Sequence, residues 1–168
     1  MELEGSIEAS LRAKELLDIF RTEKLPVIFI QHISAQKGAT FFLPDTEGAI
    51  IHENVQPLPG ETVIRKHYPN SFRETGLLDH LKKEQVGRLL VCGMMTSMCI
   101  DATVRAAFDY GFQCVVLHDA CATRSLKFKD SNIPAIHVHG AFLAALGSVY
   151  ARVISTNEAI EKKIYKLS

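Results

Sequence analysis

Apolar residues recur at helical spacing near the start of the chain, at Leu11, Leu16, Leu17 and Phe20. Ser6 stands ahead of them as a cap and Pro26 behind them as a stop. Residues 27–30 (VIFI) are wholly apolar and read as a short strand buried on both faces. From 34 to 60 the chain is polar and without period. That is longer than a connection needs, which marks a functional loop. Residues 62–66 (TVIRK) read as a second strand, 73–85 as a helix, and 88–92 (RLLVC) as a third strand closed by Gly93. The segment TSMCIDATVRAAFDYG has an Ala-rich helical period with Gly111 as its stop. A fourth strand follows at 114–117 (CVVL), then a helix at 134–146, a short strand at 152–154, and a last helix capped by Thr156.

Alternating strands and helices predict a three-layer α/β/α domain, with a Rossmann-like parallel sheet between helices. No repeat or Pro/Ser-rich linker divides the chain, so residues 1–168 read as one domain. In such sheets ligands bind outside the carboxyl ends of the strands. Lys66 ends one strand and Cys99 lies just past another, so both are expected to face one cleft. One feature is unusual for the class: the chain opens on a helix, where a doubly wound unit opens on a strand.

Composition narrows the function. Of 168 residues, 47% are hydrophobic and 23% charged, the balance of a globular protein. Nineteen basic residues offset nineteen acidic ones, so no basic face is implied and neither nucleic acid nor an anionic membrane is expected as a partner. No apolar run approaches the ~20 residues of a spanning helix. The start, MELEGSIEAS, has neither the basic end nor the apolar stretch of a signal peptide, so a cytoplasmic location is expected. The cysteines Cys92, Cys99, Cys114 and Cys121 form no C-x-x-C pair, which argues against a zinc site. Cys92 and Cys114 sit in apolar strand runs and read as core. Cys99 falls in about the first turn of a helix, behind a Gly-marked turn. Unpaired N–H groups and the helix dipole there stabilise a thiolate, and the same groups suit an oxyanion. From spacing alone, Cys99 is either a nucleophile or a buried cysteine at a helix start. Lys66 by itself reads sooner as a solvated strand-end lysine than as a catalytic one. Phe41, Phe42 and Phe72 are candidates for an apolar pocket wall or for ordinary core.

Gly93-Met94-Met95-Thr96-Ser97-Met98-Cys99-Ile100-Asp101-Ala102-Thr103, after an apolar strand, resembles the cysteine motif of the isochorismatase-like hydrolases, which include nicotinamidases. Lys66 with Ser71-Phe72 behind it resembles the family's catalytic lysine segment, and QHIS, FFLPDTEGA and HDACATR extend the similarity along the chain. The resemblance implies Cys99 as nucleophile, Lys66 as its catalytic partner, and an oxyanion hole of the Met95 and Cys99 backbone N–H groups. It also implies a cis Met94–Met95 peptide, and Thr96 at the substrate pocket. The implied sheet order is 3-2-1-4-5-6, the substrate a small molecule such as an amide, and the assembly a homo-oligomer. In the family a first, central strand ends in an Asp that takes the thiol proton and then activates water. No counterpart is recognised here. Glu2 and Glu4 belong to the approach to the first helix, so the domain is expected to be N-terminally truncated. The alternative expectation is an inactive member with a structural or oligomer-partner role. Metal-dependent relatives carry Asp-x-His after the second strand. Here the segment reads Ile30-Gln31-His32, and His137 and His139 form only a weak pattern, so no metal and no cofactor are expected.

Overall fold

The computed structural model describes residues 3–166; Glu2 lies outside them. Helix α1 (Ser6–Thr22) leads into strand β1 (Ile28–His32), the long loop, and strand β2 (Thr62–Lys66). Helix α2 (Leu77–Lys83), strand β3 (Arg88–Met94), helix α3 (Asp101–Asp109) and strand β4 (Gln113–Ala122) follow. Strands β5 (Leu126–Phe128) and β6 (Ser131–Ile133) form an antiparallel hairpin. Helix α4 (Ala135–Val149), strand β7 (Arg152–Ile154) and helix α5 (Thr156–Glu161) complete the fold.

The layers follow from the alternation of side chains along β4. Cys114 and Val116 pack with Leu81 of α2, Val104 and Ala107 of α3, and Leu143 and Leu146 of α4. Val115 and Leu117 point the other way, to Leu16 of α1 and Ala159 of α5. A strand buried on both faces must be apolar at every position, which is why CVVL reads as an unbroken run. Val116 and Leu117 are fully buried, and each contributes roughly 1.5–3 kcal/mol through the water it sheds.

The strands are parallel within two groups. β1 pairs with β2, and β3 pairs with β4, which pairs with β7. β1 and β3 each pair on one side only among the described residues, though Ile28, Ile30, Leu89 and Val91 pack against the same core. The expected order is therefore found as two runs, β2-β1 and β3-β4-β7, with no strand joining them among the described residues.

Several boundaries differ from expectation. Gly5, not Ser6, is the residue ahead of α1. Its φ of 69° turns the chain into the helix, and the Ser10 hydroxyl donates to Ile7 O. Ser155, not Thr156, caps α5, its oxygen accepting from Glu158 N–H, because the Thr156 hydroxyl and N–H are taken by Asp119. The helix expected over 73–85 is confined to Leu77–Lys83. β4 is ten residues long rather than four, since its second half pairs again with Gly93 and Met94 beyond a bulge. No helix among the described residues is long and apolar enough to cross a membrane.

The long loop is tied down along its length. Ser34 N–H donates to Phe42 O at 2.7 Å, Gln31 Nε2 to Ala49 O at 2.8 Å, and Asn54 Nδ2 to Ser10 Oγ at 2.9 Å. Arg21 of α1 grips Glu61 through two 2.8 Å bonds just before β2.

Candidate active site

The carboxyl ends of β1, β2 and β3 bring His32, Lys66 and Met94 to one end of the sheet. Lys66 is 3% exposed. Its ammonium donates to Pro69 O at 2.6 Å and to Ser71 Oγ at 3.2 Å, and the Cys99 sulfur lies near enough to act on it. Two hydrogen bonds and a nearby sulfur are how this buried ammonium is tolerated. Burial holds the Lys66 pKa below the ordinary lysine value, while the Cys99 sulfur acts in the opposite direction. Lys66 and Cys99 are thus neighbours at one end of the sheet.

Cys99 lies in a wide first turn, Thr96–Ile100, that runs directly into α3. Ile100 N–H reaches back five residues to Met95 O at 3.2 Å, the signature of a π turn, a form frequent at functional sites. The Met94–Met95 peptide is cis. Gly93 ahead of it has φ 125°, a conformation closed to residues with a Cβ.

Thr103 sits one helical turn beyond Cys99 and thus on the same face. Its hydroxyl accepts from Ser71 N–H at 3.1 Å and lies 2.9 Å from Ser71 Oγ. The last residue of the cysteine motif therefore clamps the loop that holds Lys66. Its four-residue spacing from Cys99 was the available signal, though the sequence assigned it no task. Ser97 Oγ meets Thr123 Oγ1 at 2.8 Å, a link between distant segments for which the sequence carries no signal.

Of the expected pocket residues, Phe42 stands beside His32 with ring centres 5.3 Å apart, and the exposed Phe41 meets Phe42 edge-on at 5.5 Å. Phe72 is placed otherwise. It is 7% exposed and packed on Phe112 and Tyr110, so it belongs to the core. Thr96 is fully buried, its hydroxyl 2.9 Å from His139 Nδ1, and it anchors the cysteine turn to α4 rather than lining a wall. Burial and the neighbouring His118 lower the His139 pKa. The other thiols stand apart from this chemistry. Burial pushes Cys92 and Cys114 up to about 11, and Cys121 higher still. No group of three or more His, Cys, Asp or Glu suited to a metal ion occurs among the described residues.

The isochorismatase domain matches residues 1–156. This chain belongs to the isochorismatase family. It is 52% identical over 162 residues to the uncharacterised isochorismatase family protein YddQ of Bacillus subtilis, covering 96% of this chain and 89% of that protein. It is 38% identical over 112 residues to a streptothricin hydrolase of Streptomyces noursei, a match spanning 67% of this chain and 40% of that protein. The crystal structure of an isochorismatase from Pseudomonas putida superposes with a TM-score of 0.88 at 36% identity, over 94% of this chain and 80% of that one. The family is one of hydrolases with a mixed α/β fold of parallel strands, and this chain shares both descriptions.

Proposed function

We propose that this isochorismatase-family hydrolase cleaves a small amide through a Cys99 thiolate assisted by Lys66. The observation that carries the reading is the buried Lys66 ammonium, fixed by Pro69 O and Ser71 Oγ and turned on the Cys99 sulfur. A cation so placed favours thiolate over thiol and retains a proton within reach of the leaving group. The sulfur attacks the amide carbonyl carbon, and the C=O electrons move onto oxygen, where the Met95 and Cys99 N–H groups receive them. Collapse breaks the C–N bond, and the amine leaves with a proton. Water then cleaves the thioester, releasing the acid and returning the thiol. The reading assigns no metal and no cofactor to this sequence of steps.

A second reading, an inactive member, draws on a separate observation. No carboxylate bonds Cys99 or Lys66 among the described residues, so the group that would take the thiol proton and activate water is not identified there. Turnover of a panel of small amides by the wild-type chain and by Cys99→Ala and Lys66→Met separates the two. Amide hydrolysis lost in Cys99→Ala and reduced about 100-fold or more in Lys66→Met supports the hydrolase. Equal turnover in all three removes the assignment, and none in any of them favours the inactive member.

A further inference from the structure

The turn that carries Cys99 is suspended from the backbone of two residues. Met95 O accepts from Met98 N–H at 3.1 Å and from Ile100 N–H at 3.2 Å, and Asp101 N–H donates to Met98 O and Thr96 O. Where Met95 and Thr96 sit therefore fixes where the turn and its N–H groups sit. Thr96 is held from outside the turn. Its side chain is fully buried, and its hydroxyl lies 2.9 Å from Nδ1 of His139 in α4. A buried hydroxyl needs a partner, and the bond serves in either direction.

His139 offers that hydroxyl a fixed support. Leu143, one helical turn further along α4, and Leu146 are packed into the core, so the helix is anchored where His139 leaves it. Burial, and then the neighbouring His118, keep the ring below the ordinary histidine pKa, so it meets Thr96 uncharged at about pH 8. The thiol end of the site has a different support. Lys66 is held by Pro69 O and Ser71 Oγ, and Ser71 by Thr103. The cysteine turn thus has two attachments, one toward α4 and one toward the lysine loop.

We propose that His139 is a positioning residue: through the Thr96 hydroxyl it sets the backbone whose Met95 and Cys99 N–H groups receive the oxyanion. The inference rests on the reading of Cys99 as nucleophile with that pair of donors. It separates two properties of the site. Thiolate character depends on Lys66, and stabilisation of the oxyanion depends on His139.

Two reactions of Cys99 distinguish these without knowledge of the substrate. With p-nitrophenyl acetate the sulfur bonds to the acyl carbon and the C=O pair moves onto oxygen. It then returns as the C–O bond breaks and p-nitrophenolate leaves. With iodoacetamide the sulfur displaces iodide from a saturated carbon, and no oxyanion forms. Acylation is read as p-nitrophenolate release with protein in excess, less the rate of Cys99→Ala; alkylation is read by mass mapping. Thr96→Val and His139→Leu are expected to slow acylation about tenfold or more and to change alkylation less than about twofold. Either variant carries the test if the other does not fold, and a loss of stability alone leaves the ratio of the two rates unmoved. Thr96→Ser keeps the hydroxyl, and His139→Asn brings an oxygen and an N–H to the place of Nδ1; both are expected to recover most of the ratio. An unchanged ratio in a folded Thr96→Val or His139→Leu, a parallel fall of both rates, or no recovery in the conservative variants overturns the role of His139 alone. Wild-type Cys99 that alkylates but gives no release above Cys99→Ala overturns the oxyanion hole. Wild-type Cys99 alkylating no faster than Cys92 overturns the nucleophile reading, and in both of these cases the inference goes with it.

Discussion

At the scale of single residues, burial governs how Cys92, Cys114 and Cys121 titrate. Burial raises Cys92 from an ordinary 9.0 to about 11, so the folded chain keeps a proton that the unfolded chain has already released. The stability tied to that proton is whole below about pH 9 and is lost as pH rises toward about 11. At roughly 1.4 kcal/mol per unit, Cys92 contributes up to about 3 kcal/mol. Urea unfolding between about pH 8.5 and 11 is expected to show falling stability, with a shallower fall in Cys92→Ala than in wild type. Parallel pH slopes for the two proteins would mean that the Cys92 proton is not linked to folding. Cys99 belongs to a different environment, half-buried and facing Lys66.

At the scale of elements, the site depends on how α3 is joined to its neighbours. The Thr103 hydroxyl holds the Ser71 backbone and side chain, and Ser71 holds Lys66. Thr103→Val keeps the shape and removes the oxygen, leaving the Ser71 N–H unpaired at a cost of about 1–3 kcal/mol. Urea melts should register that loss, and Cys99 alkylation should slow as Lys66 is released. Thr103→Ser should restore both, and a Thr103→Val protein with wild-type stability and wild-type Cys99 reactivity would dissolve the clamp. The turn from β3 into the cysteine segment makes a separate demand. A Cβ at Gly93 would meet only Ile100 Cδ1, at 3.8 Å, so space is available, but φ 125° is not. Gly93→Ala is therefore expected to destabilise by about 1–3 kcal/mol through the backbone, and the remedy of trimming Ile100→Val should fail. Full rescue by Ile100→Val would show that crowding, not φ, is the cause.

At the scale of the whole molecule, the arrangement of the two sheet groups decides the most. β1 and β3 run parallel to their partners, share one core, and each keep one edge unpaired among the described residues. In the expected order 3-2-1-4-5-6, a parallel apolar strand stands between the strands that β1 and β3 match, and there it would pair with both. If it ended in an acidic residue, that carboxylate would arrive beside His32, Lys66 and the cysteine turn. Several backbone bonds at roughly 1 kcal/mol each, with the apolar surface they cover, rival the ~5–15 kcal/mol that holds a domain together. A version of the protein carrying an apolar strand and Asp-x-Gln ahead of Met1 is thus expected to melt well above the 168-residue chain and to hydrolyse amides faster. Equal melting temperatures and equal turnover would show that neither the strand nor its carboxylate is needed.

What the order of residues determined by itself was whatever depends on near neighbours. The run TVIRK is β2 to the residue, and RVI is β7, because apolar runs bounded by polar turns admit little else. The helical period after Gly93 put Cys99 at a helix start, and the strand end put Lys66 at the same edge. Their joint motif is what made the family legible. The tertiary structure alone decided matters that rest on residues distant in sequence. The second half of β4 became strand only because Gly93 and Met94 lie alongside it. The capping of α5 passed to Ser155 because Asp119 claims the Thr156 hydroxyl and N–H. Thr96 left the pocket wall for His139, 43 positions away, and Phe72 left it for Phe112. A hydroxyl or a ring can satisfy itself with any partner that comes within reach. Which partner does so is a property of packing in three dimensions, and no periodicity along the chain encodes it.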